Sequence, residues 1–212
     1  MLCTEGATRV WKGAFSDCTG LRNVTLPTGM ISIEQSAFES YSGLQYIRLP
    51  DGLTCIDAWS FKGCTGLRDV AFPKTLTKIS WGLLKNALGC GILTVRGVTT
   101  VYPHAFEGCI SLQSVAFLQS LTTVRFSAFE GCASLQSVSL PETVTVIEFN
   151  AFQKCTSLQG TTLPKGVTKI GGRAFAGCVS LQSIVLPETV VQVGEGAFEG
   201  CPGMNVREPM RD

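Results

Sequence analysis

The chain has 212 residues, with 17 Lys and Arg against 16 Asp and Glu for a formal net charge of +1. Hydrophobic residues make up 45% and charged residues 16%, a mixture that suits a folded domain rather than a disordered tail. No block of like charge is present to attract a nucleic-acid backbone, and no stretch approaches the roughly 18 apolar residues of a membrane-spanning helix.

The opening segment, MLCTEGATRVWKGAF, has no apolar run and so no secretory signal. It enters a repeating phrase midway, which suggests a trimmed start, and Cys3 is a candidate remnant of a lipid-attachment site. From Phe15 onward an anchor returns every 23 residues, usually as Ala-Phe: Phe15, Phe38, Phe61, Phe106, Phe129, Phe152, Phe175 and Phe198. Leu84 takes the slot in the remaining unit, and the spacing slips there once to 22. A fixed long period of this kind marks a solenoid, in which each unit buries its apolar side only against its neighbours.

One unit reads AFEGCASLQSVSLPETVTVIEFN from Ala128. After the anchor Phe129 comes Cys132, then Leu135, Val138 and Leu140, with Ser137 and Ser139 alternating between them. That period-2 stretch predicts a short strand with its aliphatic side inward. Pro141 follows and ends the ladder, because proline has no amide hydrogen. A second short strand leads to a slot five residues before the next anchor. It holds Val10, Ile33, Ile56, Ile79, Val101, Val124, Ile147, Ile170 and Val193, all β-branched as an extended segment prefers. The phrase Gly-x-x-Ala-Phe-x-x-Cys then predicts a corner made by one helical or 3₁₀ turn, with Phe and Cys on one face.

The fourth unit departs from the phrase. Leu84 replaces Phe, Ala87 replaces Cys, Cys90 replaces Leu, and Arg96-Gly97 stands where proline is expected, so a local kink or a tightened turn is predicted there. The predicted organisation is an irregular segment over 1–7, one solenoid over 8–206, and a C-terminal cap over 207–212.

The combination Leu-x-x-Val-x-Leu-Pro-x-x-Val-x-x-Ile-x-x-x-Ala-Phe-x-x-Cys, recurring at one period, resembles the BspA-like, treponemal-type bacterial leucine-rich repeats. The resemblance implies a mostly β α/β repeat: a right-handed leucine-rich-repeat solenoid of about nine units with a concave parallel sheet. It also implies a protein-binding role, host-directed adhesion in many members, and a secreted, periplasmic or surface-associated location. It supplies no catalytic residues.

Chemistry-bearing residues are few. Cys18, Cys64, Cys109, Cys132, Cys155, Cys178 and Cys201 share one slot and read as a buried row of reduced thiols, whereas Cys3, Cys55 and Cys90 lie off it. No C-x-x-C spacing is present, so no zinc or redox motif is expected. The one histidine, His104, occupies a tolerant slot two residues before an anchor, with no thiol placed to partner it. We expect no enzyme activity and no cofactor.

Two surfaces are candidates for binding a protein. On the concave sheet, Arg22, Tyr46, Arg48, Arg68 and Asp69 supply the tyrosine and arginine that commonly anchor interfaces. Three residues before the anchor, four successive units carry Trp81, Pro103, Phe126 and Phe149 where other units carry Lys12, Gln35, Ala58, Gly172 and Glu195. This stripe reads either as an interface, for a partner or for self-association, or as a local cap over the irregular fourth unit. A thiol-based sensor is a further reading.

Overall fold

The computed structural model describes residues 6–95, 97–117 and 121–202. Most of the predicted 1–7 segment, all of the 207–212 cap, Cys3 and Arg96 lie outside those residues. The described chain runs through β1 (Arg9–Val10), β2 (Asn23–Thr25), β3 (Ser32–Ile33), β4 (Tyr46–Arg48), β5 (Cys55–Ile56), β6 (Asp69–Val70), β7 (Lys78–Ile79) and β8 (Ile92–Val95). It continues through β9 (Thr100–Val101), β10 (Ser114–Phe117), β11 (Thr123–Val124), β12 (Ser137–Ser139), β13 (Val146–Ile147), β14 (Gly160–Thr162), β15 (Lys169–Ile170), β16 (Ser183–Val185) and β17 (Gln192–Val193). The even-numbered strands are the leucine strands, and the odd-numbered ones carry the β-branched slot.

Every strand pairs in parallel with at least one counterpart one coil away, as in Val24↔Ile47 and Ile147↔Ile170, grouped as β1-β3-β5 and β7 to β17 on the odd side and β2-β4-β6, β8-β10-β12 and β14-β16 on the even side. The offset is the 23-residue period, except that Ile79 pairs Val101 and Leu93 pairs Val115. The missing residue therefore falls in the bend between β8 and β9. Gly97 in that bend adopts φ +76°, and a Cβ there would strike the Lys74 carbonyl oxygen. This is the tightened turn that the sequence suggests. The substituted side chains still fill the core, with Leu84, Ala87 and Cys90 all fully buried.

The interior is one continuous cluster of stacked rungs. Phe38, Phe61, Phe106, Phe129, Phe152 and Phe175 are all 0% exposed. Neighbouring anchor rings stack at 5.0–5.5 Å, a run broken only where Leu84 intervenes. Burying each such ring stabilises by roughly 1.5–3 kcal/mol before the entropy of ordering is charged.

The corners hold no helix among the described residues. Each is a run of β-turns in which alternate amides bond along the coil and across to the next. In the Phe129 corner, Ala128, Glu130 and Cys132 donate to the Arg125, Ser127 and Phe129 carbonyls, while Ser127, Phe129 and Gly131 donate to Phe149, Ala151 and Gln153. Half the amides are thus committed to the neighbouring coil, so a helical ladder cannot form. The residues two before and two after every anchor take φ of +50 to +73°, the left-handed third position of a type II turn. Glycine fills many of these positions, and His104, Trp59 and Arg173 occupy others.

Candidate interaction surfaces

The thiol slot is accounted for by the fold. Cys64, Cys109, Cys132, Cys155, Cys178 and Cys201 donate their S–H to the anchor carbonyl of the preceding coil, at 3.0–3.2 Å. Those carbonyls also receive an amide from their own coil, for example Cys132 N–H to Phe129 O. Burial pushes the Cys64 and Cys178 thiols up to about 12, and Cys109, Cys132 and Cys155 well above the ordinary thiol value. Tyr41 fills the same slot in the second coil, buried, with its hydroxyl accepting the Leu21 amide at 3.1 Å. Off the row, exposed Cys55 donates to Asp57 Oδ1 at 3.3 Å, and its thiol is raised by burial and then by that carboxylate. An activated thiol needs the opposite shift.

On the leucine-strand face, Arg22, Arg48 and Arg68 are exposed and Tyr46 is half exposed. Asp69 begins β6, and its side chain lies outside what the structure describes. Tyr46 and Arg48 line a shallow groove with Asp51, Ala71, Phe72 and Pro73. The structure brings Tyr46 and Arg48 together there and leaves Arg22 and Arg68 outside the groove lining.

The outer stripe is a row of rings in mutual contact. Phe126 and Phe149 stack at 5.8 Å with an 8° interplanar angle. Pro103 is buried and plays no part in the exposed row. Its neighbour His104 takes the place, set edge-on to Phe126 at 4.9 Å and tilted against Trp81 at 6.2 Å. The left-handed backbone at His104 turns its ring outward into that gap. Its Nδ1 donates to Glu107 Oε2 at 2.6 Å, and Lys85 Nζ holds the same oxygen at 2.9 Å. Trp81 and Phe149 are 46% and 45% exposed, so each ring shows about half its surface to solvent.

Trp59, one coil earlier, lies over Gly82, where any Cβ would collide with the indole. At the other end Phe149 lies against Gly172, where an added Cβ would press on the ring. Glu148 fixes the Phe126 backbone by accepting its amide at 2.9 Å, and Arg125 approaches the same carboxylate at 3.6 Å. Two hollows flank the row. Trp81 and Tyr102 border one of about 330 Å³ with Cys55, Asp57, Lys78 and Ser80. Phe126 and Phe149 border another of about 430 Å³ with Lys169, Gly171, Gly172 and Gly194. Among the described residues no group of three or more His, Cys, Asp or Glu is placed to hold a metal ion, and no helix is long and apolar enough to cross a membrane.

The model of the BspA type leucine rich repeat region, in 6 copies, matches residues 3–95 and 91–205. Comparison with curated proteins finds no match. Among solved structures, a leucine-rich repeat protein from Bacteroides ovatus is similar over 92% of this chain at 26% identity, with a TM-score of 0.83. This chain spans 50% of that protein's length. The leucine rich repeat protein of T. pallidum is similar over 73% of this chain and 74% of its own, at 30% identity and a TM-score of 0.69. The repeat phrase, the stacked parallel coils and these likenesses agree: the chain belongs to the BspA-type leucine-rich-repeat family.

Proposed function

We propose that the chain is a non-enzymatic scaffold that binds another protein through the outer aromatic row, with Trp81, His104, Phe126 and Phe149 as its centre. The observation that supports this most is the contiguity of the rings: Trp81, Phe126 and Phe149 stand at a slot that other coils fill with Lys12, Gln35, Ala58, Gly172 and Glu195, and His104, one residue past buried Pro103, bridges Trp81 and Phe126. The fold itself does not ask for aromatics there. Large rigid rings give contact area at low entropic cost, and exposed contiguous apolar surface commonly marks an interface. The flanking hollows offer room for a partner's side chains, and their charged rims offer register. Adhesion to host proteins is the specific version implied by the family resemblance.

Tyr46, Arg48 and their groove on the leucine-strand face form a second candidate contact. Surface plasmon resonance against a panel of extracellular proteins separates the two surfaces. Binding lost in Phe126→Asp/Phe149→Asp and kept in Arg48→Glu/Arg68→Glu supports the aromatic row. The reverse pattern moves the interface to the strand face. A partner bound equally by wild type and both variants rejects both surfaces.

A further inference from the structure

The hollow beside Phe149 is floored by glycines. Four residues before the anchor, the earlier units carry a side chain, among them Glu34, Tyr102, Arg125 and Glu148, and then come Gly171 and Gly194. Neither glycine has a positive φ, so backbone angle does not call for it. Close approach does: an added Cβ at Gly171 would strike the Phe149 nitrogen, and one at Gly194 the Gly172 nitrogen. Beside them lies the hollow of about 430 Å³, which Phe126 and Phe149 line together with Lys169 and Gln192, both exposed.

Glutamates at this slot have a fixed task elsewhere in the stack. Each accepts the amide that lies three residues before the anchor of the preceding coil. Glu34 Oε2 accepts the Lys12 amide at 3.2 Å, and Glu148 Oε2 accepts the Phe126 amide at 2.9 Å. Gly171 and Gly194 stand where that carboxylate would start for the Phe149 and Gly172 amides. Neither amide finds an acceptor among the described residues, and both residues line the hollow. Lys169 forms no ion pair among the described residues. Glu148, the one carboxylate on the lining, is committed to the Phe126 amide and Arg125. Two unpaired amides beside an unpaired ammonium favour a negatively charged acceptor. The same amide also lacks an acceptor at Gln35, Ala58 and Trp81. There Asp57 opposes a further anion: it holds the slot facing Gln35 and lines the hollow that contains Ala58 and Trp81.

We propose that the hollow takes the carboxylate of an Asp or Glu side chain from a partner protein, in place of the glutamate that this part of the stack lacks. One oxygen accepts the Phe149 amide and the other the Gly172 amide, one coil spacing of about 4.8 Å away. Lys169 supplies the counter-charge, and an apolar residue next to the acid lies on the Phe126 and Phe149 rings. The inference rests on the aromatic row being an interface, and it adds what the row grips: an acidic residue with an apolar neighbour.

Titration of the isotope-labelled 212-residue chain, followed by NMR, tests this. The probes are the blocked tripeptide acetyl-Phe-Glu-Phe-amide, its Gln counterpart, and acetate. The expected result is a saturable downfield shift of the Phe149 and Gly172 amide protons, with the Glu peptide at least about tenfold tighter than the Gln peptide. Lys169→Ala should weaken binding about threefold, and added salt should weaken it too. Phe149→Ala should weaken it more than Lys169→Ala does. The spectrum of each variant reports directly that it is folded. Equal affinity for the two peptides, shifts confined to other amides, or acetate binding as tightly as the Glu peptide would overturn the proposal. Its failure is distinct from failure of the aromatic row. A protein partner lost in Phe126→Asp/Phe149→Asp but indifferent to Lys169→Ala, with no shift at the two amides, keeps the interface and removes the acid from it. Capture of the Glu peptide at the two amides stands even where no protein of the panel binds.

Discussion

Phe149 and Phe152 lie three residues apart in one corner, yet they belong to different rows. Phe152 is fully buried, stacked at 5.2 Å on both Phe129 and Phe175, in a row that runs nearly the length of the molecule. Phe149 is 45% exposed, stacked on Phe126 alone, in a row confined to a few central coils. The inner row exists because a coil cannot bury its own apolar side, so every coil must contribute. The outer row is optional for the fold, and a local feature that stacking does not require is where a binding role is best sought.

The largest effect expected concerns the thiols beneath the inner row. In the unfolded chain a cysteine ionises near its ordinary value of about 8.5. Burial keeps Cys64, Cys109, Cys132, Cys155 and Cys178 protonated to far higher pH in the folded state. Above pH 9 the unfolded chain therefore holds fewer protons, and stability falls as pH rises, by roughly 1 kcal/mol per thiol per pH unit. Urea unfolding at pH 7.5, 9 and 10 should register several kcal/mol of loss. Cys132→Ala/Cys155→Ala should flatten the slope by two thiols' share, and an unchanged slope would place those thiols in solvent.

Next in size, Phe129→Ala removes a ring stacked on both sides and should cost about 3–5 kcal/mol by denaturant titration. A loss under about 1 kcal/mol would mean that the inner row is not the folding core. At the small end, His104→Gly relieves a left-handed backbone at φ +58° while removing one outer ring. Its net effect on stability should stay within about 1 kcal/mol, since the gain and the loss oppose each other. A larger destabilisation would make the Lys85–Glu107–His104 group a structural clasp.

The inner row was legible in the sequence because period and residue type coincide there: Phe, Cys, Leu and a β-branched residue recur at fixed offsets. The outer row was only half legible. Trp81, Phe126 and Phe149 share one slot of the repeat, but that slot also holds Pro103, which is buried, while His104 and Trp59 lie one residue along. Those two sit at left-handed positions, and the variety of residues there, from Gly13 and Asn150 to Arg173, hides the constraint. The spacing of Phe and Cys, three apart, fits one helical or 3₁₀ turn and so points away from the corner's real structure. The true turns depend on amides bonding to the next coil, which no single unit's sequence displays.

The most direct test of the division between the rows is to unfold Phe149→Ala and Phe152→Ala side by side in urea. The account predicts a loss of about 3–5 kcal/mol for Phe152→Ala and less than a third of that for Phe149→Ala. Equal losses would contradict it, making the outer row a structural cap and removing the reason to seek a partner there.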